Sequence, residues 1–220
     1  MKRYHKIETV FARSDEGDKK LIPDVYRSAV VEYLKNNTWV FTEKIDGTNI
    51  CVFWDGYKVS FGGRTDKAVI PADLLVYLEK TFGGKDNEEL FEQRFGTHET
   101  VIYGEGCGPK IQLGGQLYSP EVTFALFDIS VGHMFLERSD LEEIATMFNT
   151  PIVPIALEGT LDDAFAFVKS RPNSIFAKQE KKSEGVIGIP KVPLLDRRSS
   201  RIIVKIRVED IEQIEEQELR

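Results

Sequence analysis

The sequence predicts an α+β fold of twisted antiparallel sheets flanked by helices. Three observations carry this reading. Strand-like and helix-like stretches alternate irregularly along the 220 residues, without the strict βαβ order of a parallel sheet. An Asp55-Gly56 pair separates two β-rich runs, the signal of a hairpin and so of antiparallel pairing. Hydrophobic residues are 41% of the chain, including 14 Phe, which is enough for a packed core in one large domain or one domain with a small appendage.

The elements follow in order. Residues 15–20 form a polar loop and 24–34 a short helix. Residues 38–43 read as a strand, because Trp39, Val40 and Phe41 are β-formers. Residues 49–54 make a second strand, and 57–61 return after the Asp55-Gly56 turn. Residues 71–82 are helical, with Pro71 in the first turn and Leu74, Leu75 and Leu78 on one face. Another helix covers 87–95, and buried strands cover 100–105 and 121–129. Ser139 with Glu142 forms a capping box that opens a helix running to Phe148. Residues 161–169 are a helix with Phe165 and Val168 inward. Strands at 185–189 and 201–208 precede a closing acidic helix at 209–219. No internal repeat or low-complexity linker interrupts this order.

Composition excludes several classes. No apolar run approaches the roughly 20 residues that span a bilayer. Residues 1–6 lead into acidic and polar residues, not an apolar signal core, so a cytoplasmic protein without membrane association is expected. Cys51 and Cys107 form no C-x-x-C pair and read as half-buried thiols, not a disulfide framework or a zinc site. The formal net charge of −7 is unlike that of a general nucleic-acid binder. The charge is unevenly spread, however. Lys178, Lys181, Lys182, Lys191, Arg197, Arg198, Arg201, Lys205 and Arg207 crowd one stretch, ahead of an acidic end. Screening limits each charge to roughly 10 Å, so a local basic face can hold phosphates on an acidic protein.

The chemistry begins at Glu43-Lys44-Ile45-Asp46-Gly47-Thr48-Asn49. A lysine between two β-rich runs becomes a nucleophile when burial or nearby cations lower its pKa. Gly47 permits a tight turn that would hold the amine against a phosphate. Five further segments follow. Arg64 comes after Gly62-Gly63. A glycine-rich loop, Tyr103-Gly104-Glu105-Gly106-Cys107-Gly108-Pro109-Lys110-Ile111-Gln112, ends a strand. Phe127-Asp128 places an aromatic before a carboxylate, and Glu184-Gly185-Val186-Ile187 starts a strand. Val204-Lys205-Ile206-Arg207 puts two cations on one strand face, because alternate residues point the same way.

In this order the segments resemble the motifs of the covalent nucleotidyltransferase superfamily of ligases and capping enzymes. Within it they are most similar to the ATP-dependent RNA ligase family of the phage double-strand RNA ligase type. The resemblance runs from about Thr42 to Arg207, and the G-E-x-x-G-P-x-I-Q pattern around Glu105 is its most RNA-ligase-like part. It implies a nucleotidyltransferase domain of the ATP-grasp-like ligase kind. It also implies that Lys44 attacks the α-phosphate of ATP and carries AMP, while Lys205 and Arg207 hold that phosphate. Asp46, Gly47 and Asn49 would shape the nucleotide pocket, together with Glu43. Arg64 would contact the nucleotide and the 5′-phosphate strand, Glu105 the ribose, and Phe127 the adenine face with Asp128 in support. Glu184 would help to place Mg²⁺ or Mn²⁺. The implied activity joins 5′-phosphate and 3′-hydroxyl RNA ends, with nicked RNA and ATP as partners.

Three departures stand out. Arg207 takes a place where many relatives have Lys, so a planar fork replaces a point charge. The nucleophile loop has Asp46, where some phage RNA ligases have His. Only thirteen residues follow Arg207. The expectation is a single nucleotidyltransferase domain over 1–220 with a short acidic C-terminal helix and no OB-fold or other C-terminal domain. A protein partner in place of that domain is compatible with this. Two alternatives are kept: a small ATP-dependent DNA ligase, and a non-catalytic module that binds nucleotide or RNA ends.

Overall fold

A computed structural model describes residues 4–14, 20–65 and 67–218. All but Lys20 of the loop expected at 15–20 lies outside these residues, as does Leu219 of the closing helix. Along the chain run β1 (Glu8–Thr9), β2 (Phe11–Arg13), β3 (Leu21–Tyr26), α1 (Ala29–Tyr33), β4 (Trp39–Glu43), β5 (Thr48–Trp54), β6 (Val59–Gly63), α2 (Ala72–Phe82), α3 (Lys85–Phe95), β7 (Thr100–Cys107), β8 (Thr123–Val131), β9 (Met134–Phe135), α4 (Arg138–Met147), β10 (Ile155–Gly159), α5 (Leu161–Lys169), β11 (Gly185–Pro190), β12 (Val204–Arg207) and α6 (Val208–Glu218). The described residues divide into two compact units. The first holds residues 4–5, 45–65, 67–153 and 177–179, and the second holds 6–14, 20–44, 154–176 and 180–218. No helix among the described residues is long and apolar enough to cross a membrane.

The first unit is built on an antiparallel sheet with strand order β6-β5-β7-β8-β9. Alternation on β5 sends Ile50, Val52 and Trp54 to a core that α2, α3 and α4 cover with Leu74, Leu78, Phe82, Phe91 and Ile144. The Trp54 indole N–H donates to the Gly96 carbonyl at 2.9 Å, so its one polar atom is satisfied. Leu75 is 38% exposed, contrary to expectation. The buried face of α2 runs through Leu74, Leu78 and Phe82 at four-residue steps, and Leu75 lies about 100° round from it. The hairpin turn is longer than the two residues expected. Trp54 pairs with Val59, and Asp55 Oδ1 accepts the Tyr57 and Lys58 N–H groups at 2.8 and 2.7 Å. The capping box at Ser139 does not form. Helix α4 starts two residues earlier, with Glu137 at the cap position, and Glu142 is taken by Arg138 at 2.7 Å.

The second unit has a five-stranded sheet, ordered β1-β12-β11-β4-β10, and a separate β2–β3 pair. Its pairings are antiparallel except that β1 runs parallel to β12. Trp39 and Phe41 of β4, Val186 of β11, and Val204 and Ile206 of β12 meet Leu161 and Val168 of α5 and Ile211 of α6 in its core. The helix expected at 24–34 is real only over Ala29–Tyr33, where the Ser28 hydroxyl accepts the Val30 N–H. The stretch before it is β3, because Ile22, Val25 and Tyr26 are β-formers and Phe11 pairs with Tyr26. Thr160 and Asp163 form the capping box that does exist, at the start of α5. Phe165 stacks on Phe11 at 4.9 Å. Both cysteines are fully buried and free, not half-buried.

Candidate active site

Lys44 follows β4 directly, and its N–H donates to the Gly185 carbonyl at 2.9 Å. Its ammonium meets the Glu184 carboxylate at 2.6 Å, with both side chains about a quarter to a third exposed. Across the sheet, β4 is paired to β11 and β11 to β12, and Gly185 lies opposite Arg207. Burial on β12 alternates as expected. Val204 and Ile206 enter the core, whereas Lys205 and Arg207 stay partly exposed on the other face. The row from Lys44 through Gly185 to Arg207 has no side chain at its centre. A Cβ on Gly185 would collide with the Ile206 carbonyl oxygen and lie 2.7 Å from the Arg207 Cα.

The electrostatics of this face follow from its cations. The Lys205 ammonium is held below the ordinary lysine range, first by burial and then by Arg207 and Lys44. Arg207 is held above its usual value, chiefly by its hydrogen bonds to Asp210. Its Nε and Nη2 reach the two Asp210 oxygens at 3.0 and 2.7 Å. Arg13 Nη2 meets Asp210 Oδ1 at 2.6 Å. Neither Asp210 nor Arg13 was among the sequence-derived candidates. Asp210 was legible as an acid three residues after Arg207 in a helix, but Arg13 carried no local signal. Glu43 points to the core side and is 3% exposed. Its Oε2 accepts the N–H groups of Ile175 and Phe176 at 2.8 and 3.0 Å. Its Oε1 is buried without a hydrogen-bond partner.

In the first unit the chain leaves Lys44 through buried Ile45 into the Asp46-Gly47 turn. The Asp46 N–H donates to the Tyr118 hydroxyl at 3.1 Å, and the Gln112 amide donates to the Asp46 carbonyl. Gly47 lies flat on the backbone of Gly106, and a Cβ there would sit 2.9 Å from Glu105 Cγ. Thus the glycine-rich loop grips the nucleophile loop from behind. Asn49 pairs with Glu105 across β5 and β7, and its side-chain oxygen is buried without a hydrogen-bond partner. Phe127 is the extra residue of a bulge in β8, between Leu126 opposite Gly104 and Asp128 opposite Tyr103. It packs against Cys51 and Tyr103 on the sheet face away from the helices. Tyr4 meets Phe127 edge-on at 5.0 Å and donates its hydroxyl to Asp128 at 2.7 Å. Tyr4 was not a candidate either. Arg64 is exposed beyond β6, and no ion pair among the described residues involves it. Cys107 is inert, its thiol pushed up to about 12 by burial and then by the charges of Glu105 and Asp46.

The structure therefore gathers Lys205 and Arg207 of β12 with Lys44 and Glu184, which adjoin β4 and β11 of the same sheet in the second unit. In the first it collects Asn49, Glu105, Phe127 and Asp128 on one sheet, with Asp46 and Gly47 in the turn that leads into β5. It leaves Arg64 apart and turns Glu43 toward the loop at 175–176. The basic stretch from Lys178 to Arg207 is dispersed. Lys178 belongs to the first unit, and Lys191 is paired with Glu158 at 2.7 Å.

The chain resembles solved structures of Naegleria gruberi RNA ligase. A mutant of that protein with ATP and Mn aligns at 18% identity and a TM-score of 0.64, covering 97% of this chain and 58% of that one. A mutant with AMP and Mn gives 20% identity and 0.63, over 97% and 58%. The form with PPi gives 18% and 0.62, over 100% and 59%. These likenesses establish a shared fold, and the chain spans less than two thirds of the length of those proteins. No curated protein matches the chain. The family model for RNA ligase matches residues 37–207, from the residues just before β4 to the end of β12. With most of its length covered, the chain belongs to the RNA ligase family.

Proposed function

We propose that this chain catalyses ATP-dependent joining of RNA ends through a lysyl-AMP at Lys44. The observation that supports this most is the cationic face of the second unit. A part-buried lysine at a strand end is held 2.6 Å from Glu184, on the same sheet as Lys205 and Arg207. In the first step Lys44 Nζ, having lost a proton, forms a bond to the α-phosphorus of ATP. The bond from that phosphorus to the bridging oxygen breaks, and pyrophosphate leaves. Lys205 and Arg207 neutralise the phosphate as charge builds, the largest contribution a protein makes to this kind of transfer. AMP then passes to an RNA 5′-phosphate, and a 3′-hydroxyl displaces it.

The residues present also fit a divalent cation. Mg²⁺ and Mn²⁺ take oxygen ligands, and Mg²⁺ keeps several waters, so one carboxylate beside nucleotide phosphates suffices. Glu184 would hold the ion, which when bound would supply further charge neutralisation at the phosphates. Among the described residues no cluster of three or more His, Cys, Asp or Glu forms a protein-only cage, in keeping with a site shared with the nucleotide. The solved Naegleria proteins carry ATP, AMP or PPi, and two of those cited carry Mn, which agrees with this reading.

The test is incubation with α-phosphate-labelled nucleotides and Mg²⁺, followed by denaturation. Covalent label from ATP, and far less from the other three nucleotides, is expected. Label that washes away on denaturation would point to the binding module instead. Faster sealing of RNA-containing nicks than all-DNA nicks separates an RNA ligase from a DNA ligase.

A further inference from the structure

We infer that Asp210 is a positioning residue for nucleotidyl transfer, fixing the guanidinium of Arg207, and that of Arg13, beside Lys205. This rests on the reading of Lys44 as nucleophile. Asp210 sits in the first turn of α6, directly after β12. Its side chain is 3% exposed, so its charge is costly to bury unless it is closely paired. It is closely paired. Arg207 uses Nε and Nη2 on its two oxygens at 3.0 and 2.7 Å, a fork that fixes the plane of the guanidinium. Arg13 adds a third contact at 2.6 Å on Oδ1. The remaining Arg207 contact, Nη1 to Glu209 at 2.9 Å, goes to a carboxylate that is 63% exposed, and such pairs hold a side chain weakly.

Arg207 would otherwise have reason to move. It stands beside Lys205, with Lys44 and Arg13 also acting on that lysine. Like charges at such range drive flexible side chains apart unless a carboxylate opposes them. Asp210 is the buried carboxylate that does so. Only a guanidinium can complete the fork, which accounts for arginine at 207 where a lysine would keep the charge but lose the fixed plane.

The groups acting on Lys205 are Arg207, Lys44 and Arg13, which lower its pKa, and Asp210, which opposes them. Removing the Asp210 charge lowers the Lys205 pKa further. The fall of the adenylylation rate at alkaline pH should then begin at lower pH. That shift reports the lost charge, whereas kcat at the pH optimum, read in the charge-keeping Asp210→Glu as well, reports the positioning.

The experiment compares wild type, Asp210→Asn and Asp210→Glu by ATP-dependent self-labelling over a pH series, with thermal unfolding measured in parallel. For Asp210→Asn we expect kcat for adenylylation to fall about 10- to 100-fold, as for a catalytic group misplaced by about 1 Å, with the KM for ATP changed much less. Its alkaline limb should move to lower pH. Asp210→Glu, which keeps the charge but displaces it by one methylene, should lose at least about tenfold in kcat with its limb unmoved. If Asp210→Asn does not fold, Asp210→Glu decides. Wild-type kcat in a folded Asp210→Asn, or in Asp210→Glu, overturns the inference. Failure of wild type to label overturns the assignment of Lys44 instead, so the two failures are distinguishable.

Discussion

Gly185→Ala is the most informative substitution outside the charged groups. Gly185 has φ +147 and lies between Lys44, whose N–H it accepts, and Arg207, its register partner on β12. A Cβ would meet the Ile206 carbonyl oxygen, and it would lie 2.7 Å from the Arg207 Cα and 3.0 Å from the Ile206 carbonyl carbon. All three are backbone atoms, so no side-chain rotation relieves the contact. The unfavourable backbone conformation costs about 1–3 kcal/mol. Forcing a methyl group into a packed site costs about 1–3 kcal/mol more. The expected loss of about 2–6 kcal/mol is a large share of a typical domain stability of about 5–15 kcal/mol. The cheapest relaxation moves β12 away from β11 and takes Lys205 and Arg207 with it. A shift of about 1 Å there slows adenylylation by about 100-fold. Denaturant unfolding gives the stability, and the rate of self-labelling under conditions where the variant is folded gives the second number. A Gly185→Ala protein as stable and as fast as wild type would refute the claim that this glycine sets the spacing of the cationic row.

Phe127→Ala should weaken ATP binding by about 1–3 kcal/mol if the ring stacks on the base, and Phe127→Leu by less; titration with ATP checks this, and unchanged affinity in both folded variants would leave Phe127 as packing for Tyr4 and Tyr103 alone. The Lys205 pKa lies below the ordinary lysine value, so a role that needs its charge is complete at low pH and is lost as pH rises through that lowered value. The wild-type labelling rate should therefore fall off on the alkaline side before a free lysine would titrate, and a flat profile to the ordinary lysine range would argue against the role. Neither buried thiol should react with a disulfide reagent in the native protein, and both should react in denaturant; rapid native labelling of Cys107 would contradict its burial and its pKa near 12.

Much of this was legible in the sequence because it depends on short-range rules. The two-residue periodicity of β12 correctly put Lys205 and Arg207 on one face with Val204 and Ile206 inside. Gly47 reads as a tight turn, and in the structure it lies against the Gly106 backbone. Short strands were not legible. β1, β2 and β9 have two or three residues, too few for a period, and the pairing partners of β1 and β10 lie far along the chain. The helix expected at 24–34 holds only in its second half, because β-formers and pairing with β2 decide the first half. The resemblance implies a nucleotide contact for Glu43. Strand alternation instead turns it toward the core, where it holds the backbone at Ile175 and Phe176. Tyr4 and Arg13 were missed because their partners, Asp128 and Asp210, are well over a hundred residues distant.

Covalent bonding of AMP to Lys44 is tested by incubating the protein with ATP and Mg²⁺, digesting it, and locating the added nucleotide by mass spectrometry. Wild type should carry a single AMP on Lys44. Lys44→Ala should unfold within about 1 kcal/mol of wild type, since a part-exposed amine contributes little packing, and should carry none. An adduct on another residue, or one that persists at wild-type level in Lys44→Ala, would contradict the account.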